Sequence, residues 1–341
     1  MATTTSQTDS EAVAQGGTRE EVRPEAIVVA KKRRQAGGIG NVLFWVALGA
    51  AFIFFLFPLF WILITSIKAR ADITPLPPSF LPFVDFQPTL ANYEAVFAQG
   101  WEKTGFLIRQ FNSVAIAGTA TVLAVILGTM AAYVFSRFRV RGESDMLFFI
   151  LSTRMLPPIV VLIPIFLMFV NPFGFVAPIA AGMEAGGFKD FLTGLSEVNL
   201  RESYIGITLL YTTFGLPFVV WMMKGFFDEI PKEYEEAAML DGYSRIEALW
   251  KYVLPEALPA MLATAVFVLI TAWNEFVFVQ ILNPSNATTV PPFLYSIIGV
   301  GTIEWGRMAA TSVIFLVPVV LFTFLVRNHL LRGVTFGAVR R

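Results

Sequence analysis

Asn41–Ile67 reads NVLFWVALGAAFIFFLFPLFWILITSI, an unbroken run without a single Asp, Glu, Lys, Arg or His. At 1.5 Å per helical residue such a run is long enough to cross the ~30 Å of hydrocarbon in a bilayer. It follows Lys31-Lys32-Arg33-Arg34, and residues 1 to about 30 before that cluster are polar and lack apolar periodicity. A cleaved signal peptide would have a shorter apolar core beginning nearer the start of the chain. The run is therefore read as a first transmembrane helix behind a disordered N-terminal tail, residues 1–40.

Five similar runs follow: Phe111–Ser136, Met146–Val170, Ser203–Met223, Pro259–Leu282 and Met308–Val326. None has the short alternating segments of a membrane β-barrel. The expectation is an all-α polytopic membrane protein of six transmembrane helices. Composition agrees, since 56% of the 341 residues are hydrophobic and only 15% are charged, against about a quarter charged in soluble domains. Lys and Arg concentrate before the first run, at Arg137, Arg139 and Arg141, in the segment 224–258 and in the tail ending Arg340-Arg341. The positive-inside tendency then puts both termini in the cytoplasm. Loops 68–110, 171–202 and 283–307 fall outside, the first rich in proline with a short amphipathic helix around Leu90–Phe97.

Several classes of function are excluded. No basic stripe with interleaved aromatics suggests nucleic acid. There is no cysteine, and the one histidine, His329, sits near the end of the last run as an interfacial side chain. Thiol chemistry, metal sites and Ser/His/Asp catalysis are therefore not expected, and neither is a cofactor. No GxxxxGK[ST] phosphate cradle occurs, so ATP hydrolysis would belong to another polypeptide.

The informative inner loop is 225–258. Asp228-Glu229-Ile230-Pro231 reads as a helix start, with a short helix running to Leu240. Asp241-Gly242 supplies a break. A second helix then places Ile246, Leu249, Trp250 and Val253 on one apolar face, and Pro255 and Pro259 end it. At these residues the chain resembles a known family. Glu236-Ala237-Ala238, Gly242 after three intervening residues, and Leu254-Pro255 look like the EAA loop of ABC importer permeases. The family usually has an aliphatic residue where this chain has Tyr252. Asn112-Ser113, Ala131-Ala132-Tyr133 with Arg137-Phe138, Ile230-Pro231, Trp273-Asn274-Glu275-Phe276 and the basic tail 333–341 strengthen the likeness to the carbohydrate-uptake, MalG-like branch. It covers about residues 40–341.

The resemblance implies a type I ABC importer permease fold, a transmembrane domain over 41–332 and no enzymatic activity in this chain. It implies one half of a pathway for a sugar or polyol. A second homologous permease, two ABC ATPase subunits, a solute-binding protein on the outer loops and membrane lipid are the implied partners. The ATPase-coupling residues would be Glu236, Ala237, Ala238, Asp241, Gly242, Ile246, Leu254 and Pro255. Glu236 would offer a carboxylate to the ATPase and Gly242 would set the turn.

Inside the spans, Arg154 lies in Thr153-Arg154-Met155-Leu156-Pro157-Pro158, where the prolines should kink the helix. It either lines the translocation path or satisfies freed carbonyls. Asn274 and Glu275 lie roughly 15 residues, ~22 Å, into the fifth span. They suit either a hydroxyl-rich solute or a hydrogen bond to the partner permease. Trp273 is a candidate for stacking on a sugar ring. The competing function is an ion-coupled secondary transporter, which would want internal repeats and several intramembrane carboxylates.

Overall fold

In the computed structural model, residues 38–183, 185–298 and 303–336 are described, with 38–39 and 328–336 as backbone only. The expected tails, up to residue 37 and from 337, and the side chain of His329 lie outside the described residues. By its contacts the chain divides into residues 1–54 and 55–341. The described part of the first unit is the beginning of α1, and the packing below is that of the second.

In chain order the helices are α1 Gly38–Ser66, α2 Ala91–Phe97, α3 Phe106–Arg137, α4 Glu143–Ser152, α5 Pro158–Val170, α6 Ala177–Ala181, α7 Gly187–Ser196, α8 Tyr204–Glu229, α9 Glu233–Leu240, α10 Arg245–Ala248, α11 Leu254–Trp273, α12 Val277–Leu282, α13 Val290–Ser296 and α14 Trp305–Phe336. Among the described residues five helices are long and apolar enough to span a membrane: Gly40–Ser66, Phe106–Arg137, Tyr204–Glu229, Arg245–Trp273 and Trp305–Arg327. The sixth candidate is a pair, Glu143–Met155 and Pro158–Val170, bent by 99°. The all-helical architecture is thus the expected one, but three details differ.

First, the third run does not merely kink. Leu156 and Pro157 are both extended (ψ 122° and 133°), because a residue before proline avoids the α region and Pro157 has no N–H to continue the ladder. Pro158 then opens α5 at a first-turn position, where a missing N–H costs nothing. Second, Pro255 and Pro259 do not end the helix of the inner loop. A π-turn over Leu249–Val253 joins α10 to α11, opening the hydrogen-bond ladder just ahead of Pro255. That is where a normal helix would set the proline ring against a carbonyl. Third, the fifth span stops at Trp273, so Asn274 and Glu275 lie at its far end rather than within it.

The core is built where α3, α8 and α11 meet. Ala117, Ala120, Ala124 and Ala132 of α3 are buried at helical spacing, and Gly128 completes the stripe. Small residues let helix backbones approach closely, which drives association where lipid offers no hydrophobic gain. A Cβ on Gly128 would lie 2.6 Å from Cβ of Val219 on α8, and one on Gly215 3.0 Å from Val268 on α11.

The proline-rich segment after α1 is ordered. Lys68 is 1% exposed; its ammonium donates to the Ser79 carbonyl and lies over the rings of Trp61 (4.6 Å) and Phe86 (5.1 Å). Burial lowers its pKa, opposed by the charges of Asp72 and Asp85. Asn92 of α2 donates to the carbonyls of Ser66 (2.9 Å) and Lys68 (2.8 Å), fastening the expected short helix to the end of α1. Asn112 and Ser113 do similar work on α3. The Asn112 amide donates to the Thr288 carbonyl (2.9 Å), and Ser113 Oγ accepts from the Val290 N–H (3.0 Å), holding α13 in place.

Candidate functional site

The helix–turn–helix forms between α9 and α10, and its local chemistry specifies it fully. Glu233, Glu235 and Glu236 stand in the first turn of α9, where the helix dipole favours negative charge. At its end Gly242 takes φ +91°, a left-handed conformation natural to glycine. The Gly242 N–H bonds the Met239 carbonyl (3.1 Å) and the Tyr243 N–H bonds that of Ala238 (3.1 Å), the Schellman pattern. Ser244 then caps α10: its hydroxyl accepts from the Glu247 N–H (3.3 Å) while the Glu247 carboxylate accepts from the Ser244 N–H (2.8 Å). This capping box was readable as Ser244-x-x-Glu247.

Exposure separates two faces. Glu236, Ala237, Asp241, Gly242 and Pro255 point outward, with Ile246 69% and Trp250 68% exposed. Ala238, Ala248 and Val253 are buried, and Leu254 is half-buried. The expected single apolar face through Ile246, Leu249, Trp250 and Val253 is therefore split. The π-turn adds a residue to one turn and breaks the 3.6-residue register that such a face requires. Of the two adjacent alanines, only Ala238 packs.

The buried carboxylate of α9 is Glu235, which the motif reading passed over for its neighbour Glu236. Glu235 accepts a hydrogen bond from the Tyr133 hydroxyl (2.7 Å) and pairs with Arg137 Nε, both on α3. The Arg137 guanidinium also donates to the carbonyls of Phe227 (2.7 Å) and Ile230 (3.0 Å), at and just beyond the end of α8. The available signal was Tyr133 and Arg137 at i, i+4 spacing, two polar groups on one face at a helix end.

A second site lies deeper. Arg154, at the bend between α4 and α5, and Glu275, at the break between α11 and α12, line one cavity of about 200 Å³ with Tyr211, Phe214, Thr271 and Phe278. Arg154 Nη1 donates to the Phe214 carbonyl (2.8 Å). Glu275 accepts from the Tyr211 hydroxyl (2.9 Å) and from the backbone N–H groups of Phe278 (2.9 Å) and Val279 (3.3 Å). It thereby starts α12, while the Asn274 side chain donates to the Ile270 carbonyl (2.8 Å) and finishes α11. Two residues distant in sequence thus converge on one space, whereas Asn274 and Trp273 do not join them. The Trp273 ring is 4% exposed and stacks on Phe315 (4.8 Å between centroids), so it packs the core instead of presenting a face to a sugar.

Residues 124–334 match the family described as the binding-protein-dependent transport system inner membrane component. The chain is 32% identical over 289 residues to the trehalose/maltose transport system permease protein MalG of Thermococcus litoralis, covering 84% of this chain and 91% of that one. It is 28% identical over 302 residues to the sulfoquinovosyl glycerol transport system permease protein SmoH of Agrobacterium fabrum, covering 88% and 94%. Its backbone follows a chain in the crystal structure of a bacterial ABC transporter involved in import of the acidic polysaccharide alginate. There the TM-score is 0.59 at 21% identity, over 86% of this chain and 96% of that one. The chain belongs to the binding-protein-dependent ABC transport permeases. It is the multi-pass inner-membrane subunit of an ABC importer, without a catalytic role, and it works with an ATPase and a binding protein. The ion-coupled alternative is set aside.

Proposed function

We propose that this subunit forms half of the translocation pathway for a sugar or polyol and is driven through the turn between α9 and α10. The observation that carries the coupling role is the outward set on that turn: Glu236, Leu240, Ile246 and Trp250 are exposed around a turn whose own backbone bonds are already satisfied. Such a surface suits a cleft on an ATPase, with Glu236 meeting a basic or amide group and the apolar side chains filling the floor. In this reading 225–258 is a cytoplasmic coupling loop within a permease domain over 41–332, and both tails face the cytoplasm. A second homologous permease and two ATPases complete the complex, and the binding protein docks on loops 68–110, 171–202 and 283–307. ATP-driven closure of the ATPases then tilts the helix bundle between inward-open and outward-open forms.

The sugar reading is supported by relatives named for trehalose, maltose and sulfoquinovosyl glycerol transport. Labelled disaccharides and polyols offered to cells carrying the complete system test it. Vanadate-sensitive uptake of at least one is expected, and uptake of none of them would overturn it.

The cavity lined by Arg154 and Glu275 is the proposed contact with solute, because a guanidinium with unused donors and a carboxylate lining one space match a hydroxyl-rich molecule. Arg154→Gln is expected to lower uptake about tenfold with the ATPases still co-purifying, the scale set by one charge-assisted hydrogen bond. Uptake at the parent level would remove Arg154 from the pathway, and lost assembly would assign it to helix packing.

A further inference from the structure

Among the described residues one ion pair is buried on both sides: Arg137 and Glu235, with side chains 3% and 5% exposed. The others, Lys224 with Glu143 and Asp228, and Arg307 with Glu304, keep at least 21% exposure on each partner. Burying two charges costs desolvation that their attraction roughly offsets, so such a pair is poorly explained as a stabilising device. Its geometry suggests another use. The Glu235 carboxylate is held by two side chains of α3 one turn apart, Tyr133 and Arg137. The same guanidinium holds the carbonyls of Phe227 and Ile230, and its neighbour Ser136 Oγ (3.0 Å). One residue of α9 is thus locked to the ends of two long helices at once.

We propose that Arg137 and Glu235, steadied by Tyr133, are positioning residues that make α9 move as one piece with α3. This rests on the docking role of the α9 turn given above. The peptide link 230–232 can pull only on α8, the helix to which it is joined. Without the ion pair a push on α9 would reach α8 and α11 through the chain, and α3 only through the Tyr133 hydrogen bond and the stacking of Arg245 on the Phe138 ring (5.0 Å). With it, displacement of α9 must carry α3, and through Gly128 against Val219 the α3–α8 pair tilts together. The orientation is specific as well. Only an arginine can offer Nε to a carboxylate while both terminal nitrogens bond separate carbonyls.

The test uses the complete complex with its own ATPase and binding protein. The chain has no cysteine, so with cysteine-free partner subunits Met130→Cys on α3 and Tyr234→Cys on α9, both exposed positions, are the two spin-labelled sites. The label-to-label distance is expected to be the same without nucleotide and with ATP plus vanadate. In Glu235→Gln that distance should change between the two states, and stimulation of ATP hydrolysis by the binding protein should fall about tenfold, within the usual range of coupling between sites. Basal hydrolysis and co-purification should hold. Tyr133→Phe, which keeps both charges, should show a smaller loss of the same kind. An unchanged distance with normal stimulation in Glu235→Gln overturns the proposal. If that variant does not assemble, parent-like behaviour of Tyr133→Phe in both readouts overturns it instead. Glu236→Lys separates the two ideas: should it keep ATPase binding and normal stimulation, the docking role fails. Should it lose them while Glu235→Gln behaves as the parent, only the joint fails.

Discussion

Glu236→Lys is expected to leave the protein inserted in the membrane while transport-coupled ATP hydrolysis falls by at least about thirtyfold, the cost of setting like charges together at a desolvated contact. Glu236 is exposed on α9 and makes no ion pair among the described residues, so its charge contributes little to this chain's own fold. Reversing it therefore acts on the partner. Gly242→Pro should give the same phenotype by a different route. Proline cannot adopt φ +91°, and it removes the N–H that bonds the Met239 carbonyl, a cost of about 3 kcal/mol or more for the turn. Membrane content, detergent-phase monodispersity and ATPase activity of the purified complex are the measurements. Coupled uptake at the parent level in either variant would end the docking role.

Gly128→Leu is the second large effect, and it bears on the fold. A Cβ there would stand 2.6 Å from both Cβ and Cγ1 of Val219, closer than carbon atoms approach. Val219 is fully buried and β-branched, with one strongly preferred rotamer in a helix, so it cannot swing aside. The α3 and α8 backbones must separate, and overpacking of this kind costs about 1–3 kcal/mol or more. Gly118 lies on the same helix with open space around its Cβ position. Thermal unfolding in detergent should show a clear loss for Gly128→Leu and almost none for Gly118→Leu. Equal melting of the two would mean that α3 and α8 are not packed as described.

Much of this was readable in the amino-acid order, and the exceptions share a cause. The existence of the long helices follows from charge-free runs, since nothing else satisfies backbone polar groups in lipid. Their breaks were harder. Trp273-Asn274-Glu275-Phe276 sits between apolar residues on both sides, so a hydropathy reading runs straight through it. The stop is made by two side chains turning back on the backbone, Asn274 to one helix and Glu275 to the next. Pro255 misled in the opposite direction, because the π-turn that accommodates it has no signature in composition. Glu235 and Glu236 are chemically alike and adjacent. Which of them is buried depends on Arg137, almost a hundred positions earlier, and local spacing holds no record of that.

The capped turn after α9 has a kinetic corollary. Its donors and acceptors are already matched within the chain, from the Ala238 carbonyl to the Ser244–Glu247 box, so a protein meeting it finds a finished shape. Little conformational freedom remains to be lost on contact. Encounter should then proceed at ordinary rigid-body rates, about 10⁵–10⁷ M⁻¹s⁻¹, with the lifetime of the complex governed by how slowly the two surfaces part.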